Sequence, residues 1–301
     1  MKKKHGSGGI HGSRLTPALF LAPYLIVFFL FFLIPFVYGI CASFTKWDMF
    51  SPPKWIGLKN YATIFFNKDS SFYHQFWNGM KNTLTFVAIM VPFQILVPLG
   101  LALALYARPK CSRLFQAILY IPTLFSISSV ILTWFFVLHP SYGLVNRIFH
   151  LDINWFGEQP WAWISIVIVT TWWIIGMNMV IYLTALNGID KSIIESAMMD
   201  GAGWWKRVTS ICLPQIRFQL LFTILSATTS QFNIYGQPLM LTRGGPTEST
   251  YVLTMYIRNL AFGSGKSIAG MASAMATVLG LVIGILSVLQ MTVLLREQRN
   301  A

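Results

Sequence analysis

The sequence is poor in charged residues. Only 10% of its 301 residues are Asp, Glu, Lys or Arg, and only 9 of them are acidic, whereas a soluble globular domain carries about 25% charged residues. Because 55% of the chain is hydrophobic, the excess apolar surface is expected to meet lipid. The net charge of +13 comes from cations in scattered loops, which argues against nucleic acid and favours anchoring at an anionic membrane surface.

Residues for metal, disulfide or catalytic chemistry are also scarce. The three cysteines (Cys41, Cys111, Cys212) are far apart and form no CxxC pair, so no disulfide framework is expected. The five histidines have no HExxH or similar ligand spacing, and no nucleotide-binding loop is found. We therefore expect no metal, no cofactor and no enzymatic activity.

Charge is absent from six long stretches of the chain. Each stretch is at least 25 residues long, and about 20 apolar residues suffice for a helix to cross the hydrocarbon core. Six transmembrane helices are therefore predicted in an all-α membrane protein. The charge-free stretches are 15–45, 82–107, 114–146, 159–189, 218–242 and 267–295.

The distribution of lysine and arginine predicts the orientation. With both termini in the cytoplasm, 13 of the 22 lysines and arginines lie inside and 9 outside, in line with the positive-inside tendency. The first apolar stretch is too long for the core of a signal peptide, so we expect an uncleaved first helix.

These choices divide the chain into tails, helices and loops. The predicted segments are a basic tail 1–14, helix 15–45, an aromatic-rich outer loop 46–81, a core 82–295 and a cytoplasmic tail 296–301. Within the core, helices are predicted at 82–107, 114–137, 161–186, 217–241 and 267–294, with a hydrophilic loop at 190–214.

Neutral polar residues gather in the middle and outer part of the fifth helix. Hydroxyl and amide groups beside aromatic rings suit an uncharged, polyhydroxylated ligand such as a sugar, although hydrogen bonding between helices would use the same residue types. The candidates for substrate binding are Trp173, Asn178, Gln231, Asn233 and Tyr235.

None of the six stretches contains an ionisable side chain deep in the membrane. Proton- or ion-coupled carriers usually need such a group, and inverted repeats typical of secondary transporters are not seen. A stand-alone secondary transporter or channel is therefore the weaker alternative.

The hydrophilic loop (190–214) is a patterned polar segment between apolar ones. Ser192 and Glu195 fit the capping box S-x-x-E at a helix start, and Gly201 suits the left-handed turn that ends a helix. A second short helix is expected to stop before Pro214. The loop is thus predicted to be helix–turn–helix, either at the cytoplasmic mouth or resting on lipid.

The same loop resembles the EAA loop of binding-protein-dependent ABC importer permeases. The family pattern E-A-A-x-x-D-G-A followed by I-x-L-P is matched from Glu195 to Pro214, with Ser196 in place of one alanine and Val208 where an aromatic is frequent. Trp55-Ile-Gly-Leu-Lys-Asn-Tyr61 and Leu241-Thr-Arg-Gly-Gly-Pro246 resemble the carbohydrate, maltose-type branch. The resemblance spans roughly residues 15–295.

The resemblance implies a type I importer permease (MetI-like) fold in a bacterial or archaeal cytoplasmic membrane. It implies four partners besides lipid: a second related permease, a cytoplasmic ATPase dimer, an extracytoplasmic solute-binding protein and a carbohydrate. A phosphorylated or other anionic solute is the alternative cargo; cations reaching the cavity would favour it, and none lies in the six charge-free stretches. The residues implied to couple to the ATPase are Glu195, Ala197, Asp200, Gly201, Ala202, Leu213 and Pro214.

Overall fold

The computed structural model describes residues 15–263 and 268–299. The predicted tail 1–14 and the predicted start of the last helix at 267 lie outside these residues. The helices are α1 (Leu15–Phe28), α2 (Ile34–Ser43), α3 (Lys59–Phe66), α4 (Ser71–Tyr106), α5 (Ser112–Tyr120), α6 (Ile127–Val137), α7 (Leu144–Phe149), α8 (Trp161–Asn187), α9 (Lys191–Met199), α10 (Trp204–Arg207), α11 (Leu213–Gln215), α12 (Arg217–Phe232), α13 (Leu253–Phe262) and α14 (Ala269–Arg299).

Four continuous helical segments among the described residues are long and apolar enough to cross a membrane. A fifth and a sixth span result only if each of two bent helix pairs counts as one crossing. A π-helical turn, Phe29–Leu33, joins α1 to α2 within the first span. The chain is therefore a multi-pass, mostly helical membrane protein. The four spans are Leu19–Ser43, Ser71–Tyr106, Trp161–Asn187 and Ala269–Arg296.

The second predicted helix begins much earlier than expected. α4 starts at Ser71 rather than at 82, because the Ser70 hydroxyl caps it by accepting a hydrogen bond from the Phe72 amide at 3.2 Å. One side of its first turns packs on protein: Phe76 is 1% exposed and packs with Ile64 of α3. Protein contacts, rather than lipid, support this outer extension.

The third and fifth predicted helices are not single straight helices. The expected helix 114–137 is divided into α5, a 3₁₀ turn Ile121–Leu124 that contains Pro122, and α6, with a bend of 105°. The expected helix 217–241 ends at Phe232 and is followed, after a break, by a π-helical turn Pro238–Thr242. Proline lacks the amide hydrogen that helix continuation needs.

The outer segments contain short elements of their own. Two residue pairs, Thr45–Lys46 (β1) and Lys54–Trp55 (β2), form an antiparallel ribbon, which adds a minimal strand pair to the predicted all-α fold. The Asn60 side chain holds this corner by donating to the carbonyl oxygens of Ser43 and Thr45 at 2.8 and 2.9 Å.

The most extensive helix–helix packing among the described residues is between α4 and α8. α5 approaches α8 closely because Gly176 of α8 lacks a side chain. A Cβ at Gly176 would lie 2.6 Å from the Leu119 carbonyl oxygen and 2.6 Å from the Tyr120 Cα atom of α5. α1 differs from these helices, since its described side chains are mostly exposed, including Phe20 at 80%.

Candidate functional site

The hydrophilic loop is a helical hairpin, but its first cap is not the predicted one. α9 starts at Lys191, and the Asp190 carboxylate accepts a hydrogen bond from the Ser192 amide at 2.9 Å. The prediction of a capping box based on Ser192 is therefore wrong, because Asp190 is the N-cap residue. Aspartate is a preferred N-cap residue, and its negative charge also interacts favourably with the positive end of the helix dipole. The hydrogen bonds from Ser192 hold the pKa of the Asp190 carboxyl below its usual value.

The end of α9 is the turn that the sequence predicts at Gly201. Gly201 has φ +76°, its amide donates to the Met198 carbonyl at 3.0 Å, and the Ala202 amide donates to the Ala197 carbonyl at 2.9 Å. This pair of bonds is a Schellman motif, which favours glycine because a side chain is strained at positive φ. A Cβ on Gly201 would meet no atom within 4 Å, so the requirement is conformational.

The second arm of the loop continues past Pro214. α10 passes through a π-helical turn, Val208–Cys212, into α11, and Pro214 lies in the first turn of α11 rather than after a helix end. Proline is tolerated there because the first amides of a helical turn need no partner within it. The chain then bends by 68° into α12.

One side of the loop rests on the helix ends, and the other carries exposed apolar groups. Ile194 and Leu213 pack with Ala102 of α4 and Tyr182 of α8. Met199 is 89% exposed, and Glu195 and Asp200 are also exposed, whereas Ala197 and Ala202 are half-buried and Pro214 is exposed. The loop thus presents a mixed apolar and acidic surface away from the membrane helices.

Inside the membrane region, the predicted substrate residues divide into separate groups. Gln231 is 5% exposed, and its amide donates to the Gln94 side-chain oxygen at 2.8 Å. The Asn178 amide donates to the Gln94 main-chain oxygen at 3.1 Å. Gln94 of α4 therefore joins α8 and α12, a role that sequence analysis missed although it is the one amide between Asn82 and Arg108.

The two aromatic candidates lie in other contacts. Trp173 is half-buried and donates its indole N–H to the Phe125 carbonyl at 3.1 Å. Tyr235 lies in the break after α12, where the Arg258 guanidinium is 5.6 Å from its ring centre. The structure therefore does not bring these aromatics together with the amides.

Several other polar residues of α12 bond to neighbouring helices. The Thr223 hydroxyl is 2.5 Å from the Tyr182 hydroxyl, and the Gln290 amide donates to Thr228 at 3.0 Å. These contacts are the hydrogen bonds between helices that sequence analysis left as the alternative to ligand binding.

A polar face of α12 nevertheless remains open. Ser226, Ser230 and Asn233 are exposed and recur at intervals of four and three residues, so they share one side of the helix. Asn233 directly follows α12, and its side-chain amide donates to the Thr229 carbonyl of that helix at 2.9 Å. Polar groups are rarely placed against lipid tails, so this polar face of α12 is expected to meet a partner helix or a water-filled path. Residues 15–263 and 268–299 contain no cluster of His, Cys, Asp and Glu that could hold a metal.

Several spans, an exposed polar helix face and a helical hairpin at the helix ends are features expected of a membrane transport subunit. The chain belongs to the family of binding-protein-dependent transport system inner membrane components, whose family model matches residues 96–300. This agrees with the resemblance of the hydrophilic loop.

Curated relatives support the same family, and a solved structure has the same fold. The chain is 30% identical over 280 residues to the probable starch degradation products transport system permease protein AmyD of Thermoanaerobacterium thermosulfurigenes, covering 90% of this chain and 91% of the relative. It is 30% identical over 286 residues to the sn-glycerol-3-phosphate transport system permease protein UgpA of Escherichia coli O6:K15:H31 (strain 536 / UPEC), covering 92% and 93%. A bacterial ABC transporter involved in alginate import has the same fold, with a TM-score of 0.81 at 24% identity over 93% of this chain and 95% of that chain.

Proposed function

We propose that this chain is a transmembrane subunit of an ATP-driven importer and forms half of the pathway for a sugar or oligosaccharide. The polar face of α12 carries the proposal. Ser226, Ser230 and Asn233 offer hydroxyl and amide groups without charge, which suits a neutral polyhydroxylated solute. Among the relatives, the name of AmyD specifies starch degradation products.

The hydrophilic loop is proposed to be the contact with a cytoplasmic ATPase dimer. Its exposed residues combine the carboxylates Glu195 and Asp200 with several apolar side chains, namely Ile193, Met199 and Trp205, and a group of exposed apolar side chains on one loop favours a protein partner. In this proposal Gly201 sets the direction of the hairpin, Leu213 anchors it on the helix ends, and the chain itself hydrolyses no ATP.

A second related permease is proposed to complete the pathway by covering the polar face of α12. A solute-binding protein, on which the family depends by its description, would deliver cargo at the outer loops. Both chain termini would then be cytoplasmic, in the cytoplasmic membrane of a bacterium or archaeon, which is the orientation that the lysine and arginine distribution favours.

A phosphorylated solute is the second candidate, because a relative with equal identity, UgpA, is described as a permease for sn-glycerol-3-phosphate. The open face of α12 is neutral, and an anionic cargo would be expected to meet cations there. The neutral sugar is therefore the better match.

Uptake measurements distinguish a neutral sugar from a phosphorylated solute as the cargo. Cells that carry the intact transport system, with or without this chain, would be supplied with radiolabelled malto-oligosaccharides, other neutral saccharides or sn-glycerol-3-phosphate. We expect accumulation of a neutral saccharide only when this chain is present. Chain-dependent uptake of the phosphate ester alone would overturn the sugar assignment, and uptake by this chain without any ATPase would overturn the importer assignment.

A further inference from the structure

A cavity of about 550 Å³ lies between the hydrophilic loop and the ends of α4 and α8. Its wall is partly apolar, with Ile194, Met198, Trp204 and Val208. Its volume falls in the range of about 300–1,000 Å³ found for small-molecule sites. No function proposed above assigns a ligand to this space: the proposed substrate residues do not line it, and of the residues proposed for the ATPase contact only Glu195 borders it.

The cavity is positively charged. Arg108, Lys191 and Arg207 line it, against one carboxylate, Glu195. The Nε atom of Arg207 is buried and has no hydrogen-bond partner among the described residues. Buried donors are almost always paired, so this N–H group indicates an acceptor that the chain alone does not provide.

The position of the cavity relates it to the membrane surface. α4 and α8 are membrane-spanning segments, so their ends at Tyr106 and Asn187, both of which line the cavity, mark the level of the lipid headgroups. Trp204 in the wall is 40% exposed, and tryptophan is enriched at this level of a bilayer.

We propose that the cavity binds the phosphate-bearing headgroup of an anionic phospholipid. Arg207 donates its buried Nε–H to a phosphate oxygen, while Arg108 and Lys191 balance the remaining negative charge. Met198 and Trp204 contact the glycerol and the first carbons of the acyl chains. The lipid thereby links the two arms of the hydrophilic loop to the end of α4, which makes the seating of the loop dependent on the lipid. An acidic side chain of a partner protein is the competing occupant.

Binding can be measured on the purified full-length chain, without transport or ATP. The chain would be placed in phosphatidylcholine nanodiscs and titrated with phosphatidylglycerol brominated on its acyl chains, which quenches nearby tryptophan fluorescence. The contribution of Trp204 is the difference in fluorescence quenching between the unaltered chain and its Trp204→Phe variant. We expect saturable quenching with phosphatidylglycerol and weak, non-saturating quenching with brominated phosphatidylcholine.

Two variants and a matched control locate the site. Arg207→Gln is expected to weaken phosphatidylglycerol binding about tenfold, the loss of one charge-assisted hydrogen bond. Lys206→Gln removes the same charge from an adjacent residue outside the cavity and should leave binding unchanged. Arg207 is half-buried, so loss of binding in Arg207→Gln alone would not separate a lost contact from disturbed folding. Arg108→Gln changes an exposed side chain just after α4 and is also expected to weaken phosphatidylglycerol binding.

Three results would overturn the proposal. They are equal quenching by the two brominated lipids, equal loss of binding in Lys206→Gln and Arg207→Gln, and saturation of the site by free glycerol 1-phosphate with the affinity of the lipid. An effect of Arg207→Gln on ATPase coupling that is the same in neutral and anionic nanodiscs would instead assign Arg207 to a protein partner. Since the titration needs no cargo, its failure is separate from failure of the transport function.

Discussion

The side-chain amide of Gln231 donates a 2.8 Å hydrogen bond to the side-chain oxygen of Gln94, joining α12 to α4 within the membrane region. Gln94→Leu leaves the buried Gln231 amide without its partner, and we expect a loss of about 1 kcal/mol in stability, the scale of hydrogen bonds between membrane helices. The double variant Gln94→Leu/Gln231→Leu should lose less than the sum of the two single variants. Unfolding in detergent measures the cycle, and additive losses would contradict a direct pairing.

The open polar face of α12 yields a prediction with a closely matched control. Asn233 and Thr133 are both exposed, and each donates a 2.9 Å bond to a carbonyl four residues earlier in the chain. Asn233→Leu should change the saccharide preference or reduce uptake, since it removes from the proposed path the amide oxygen and the N–H that does not bond to Thr229. Thr133→Val, on α6, should leave uptake unchanged. Equal effects of the two variants on uptake, at equal amounts of inserted protein, would remove Asn233 from the path.

Two glycines of the hydrophilic loop are expected to behave differently. Gly201→Val forces a branched side chain into φ +76°, at a cost of roughly 1–2 kcal/mol, and should misdirect the hairpin. Gly203 has φ −63° and open space around it, so Gly203→Val should be tolerated. ATP hydrolysis and uptake, measured together in the reconstituted importer, are expected to become uncoupled only in Gly201→Val. Normal uptake in that variant would argue against a role of the turn in coupling.

The cap of α9 can be tested by comparing two neighbouring polar residues. Asp190→Ala should loosen the first turn of α9 because the Ser192 amide loses its acceptor, whereas Ser192→Ala keeps that acceptor and should have the smaller effect. Hydrogen exchange of the α9 amides measures both. The lowered pKa of Asp190 means that its contribution is complete above the pKa of an unfolded aspartate and is lost only when the pH falls through the lower folded value. Exchange in Asp190→Ala that equals that of the unaltered chain at the same neutral pH would be evidence against the cap.

Close packing of α8 on α5 predicts a stability effect at one glycine and not at another. Gly176→Ala places a Cβ 2.6 Å from main-chain atoms of α5, which cannot move as a side chain tip can, so a loss of about 1–3 kcal/mol is expected. Gly100 of α4 has open space, and Gly100→Ala should be neutral or stabilising by up to about 1 kcal/mol through helix propensity. Thermal unfolding of the two variants provides the comparison.

The sequence predicts the membrane class and much of the helix placement, and particular residues explain where it does not. The expected helix 161–186 matches α8, Trp161–Asn187, because this stretch has neither charge nor proline. The length of a charge-free stretch does not show whether a helix within it is straight, so the bend near Pro122 and the end of α12 at Phe232 were not predicted. The early start of α4 depends on Phe76 packing against α3, a contact between separate segments that no local pattern indicates.

In the hydrophilic loop and around Gln94, too, local features were predictable and contacts between separate segments were not. The turn at Gly201 depends on one residue's backbone and was predictable, whereas two good N-cap residues, Asp190 and Ser192, lie close together and only the structure decides between them. The role of Gln94 requires knowledge of which helices face each other. Its amide between Pro92 and Pro98 was a usable signal, since an amide deep in an apolar stretch needs a partner.

The chain bends by 68° between α11 and α12, and the helix before the bend is much shorter than the helix after it. The 16 residues of α12 are about 24 Å long at 1.5 Å per residue. If the segments on both sides of the bend turn together, a rotation of about 5° at the hairpin displaces the far end of α12 by about 2 Å, since arc length is radius times angle. Asn233 lies at that end, so the displacement is greatest where the helix carries its amide and least at the pivot beside Ile216.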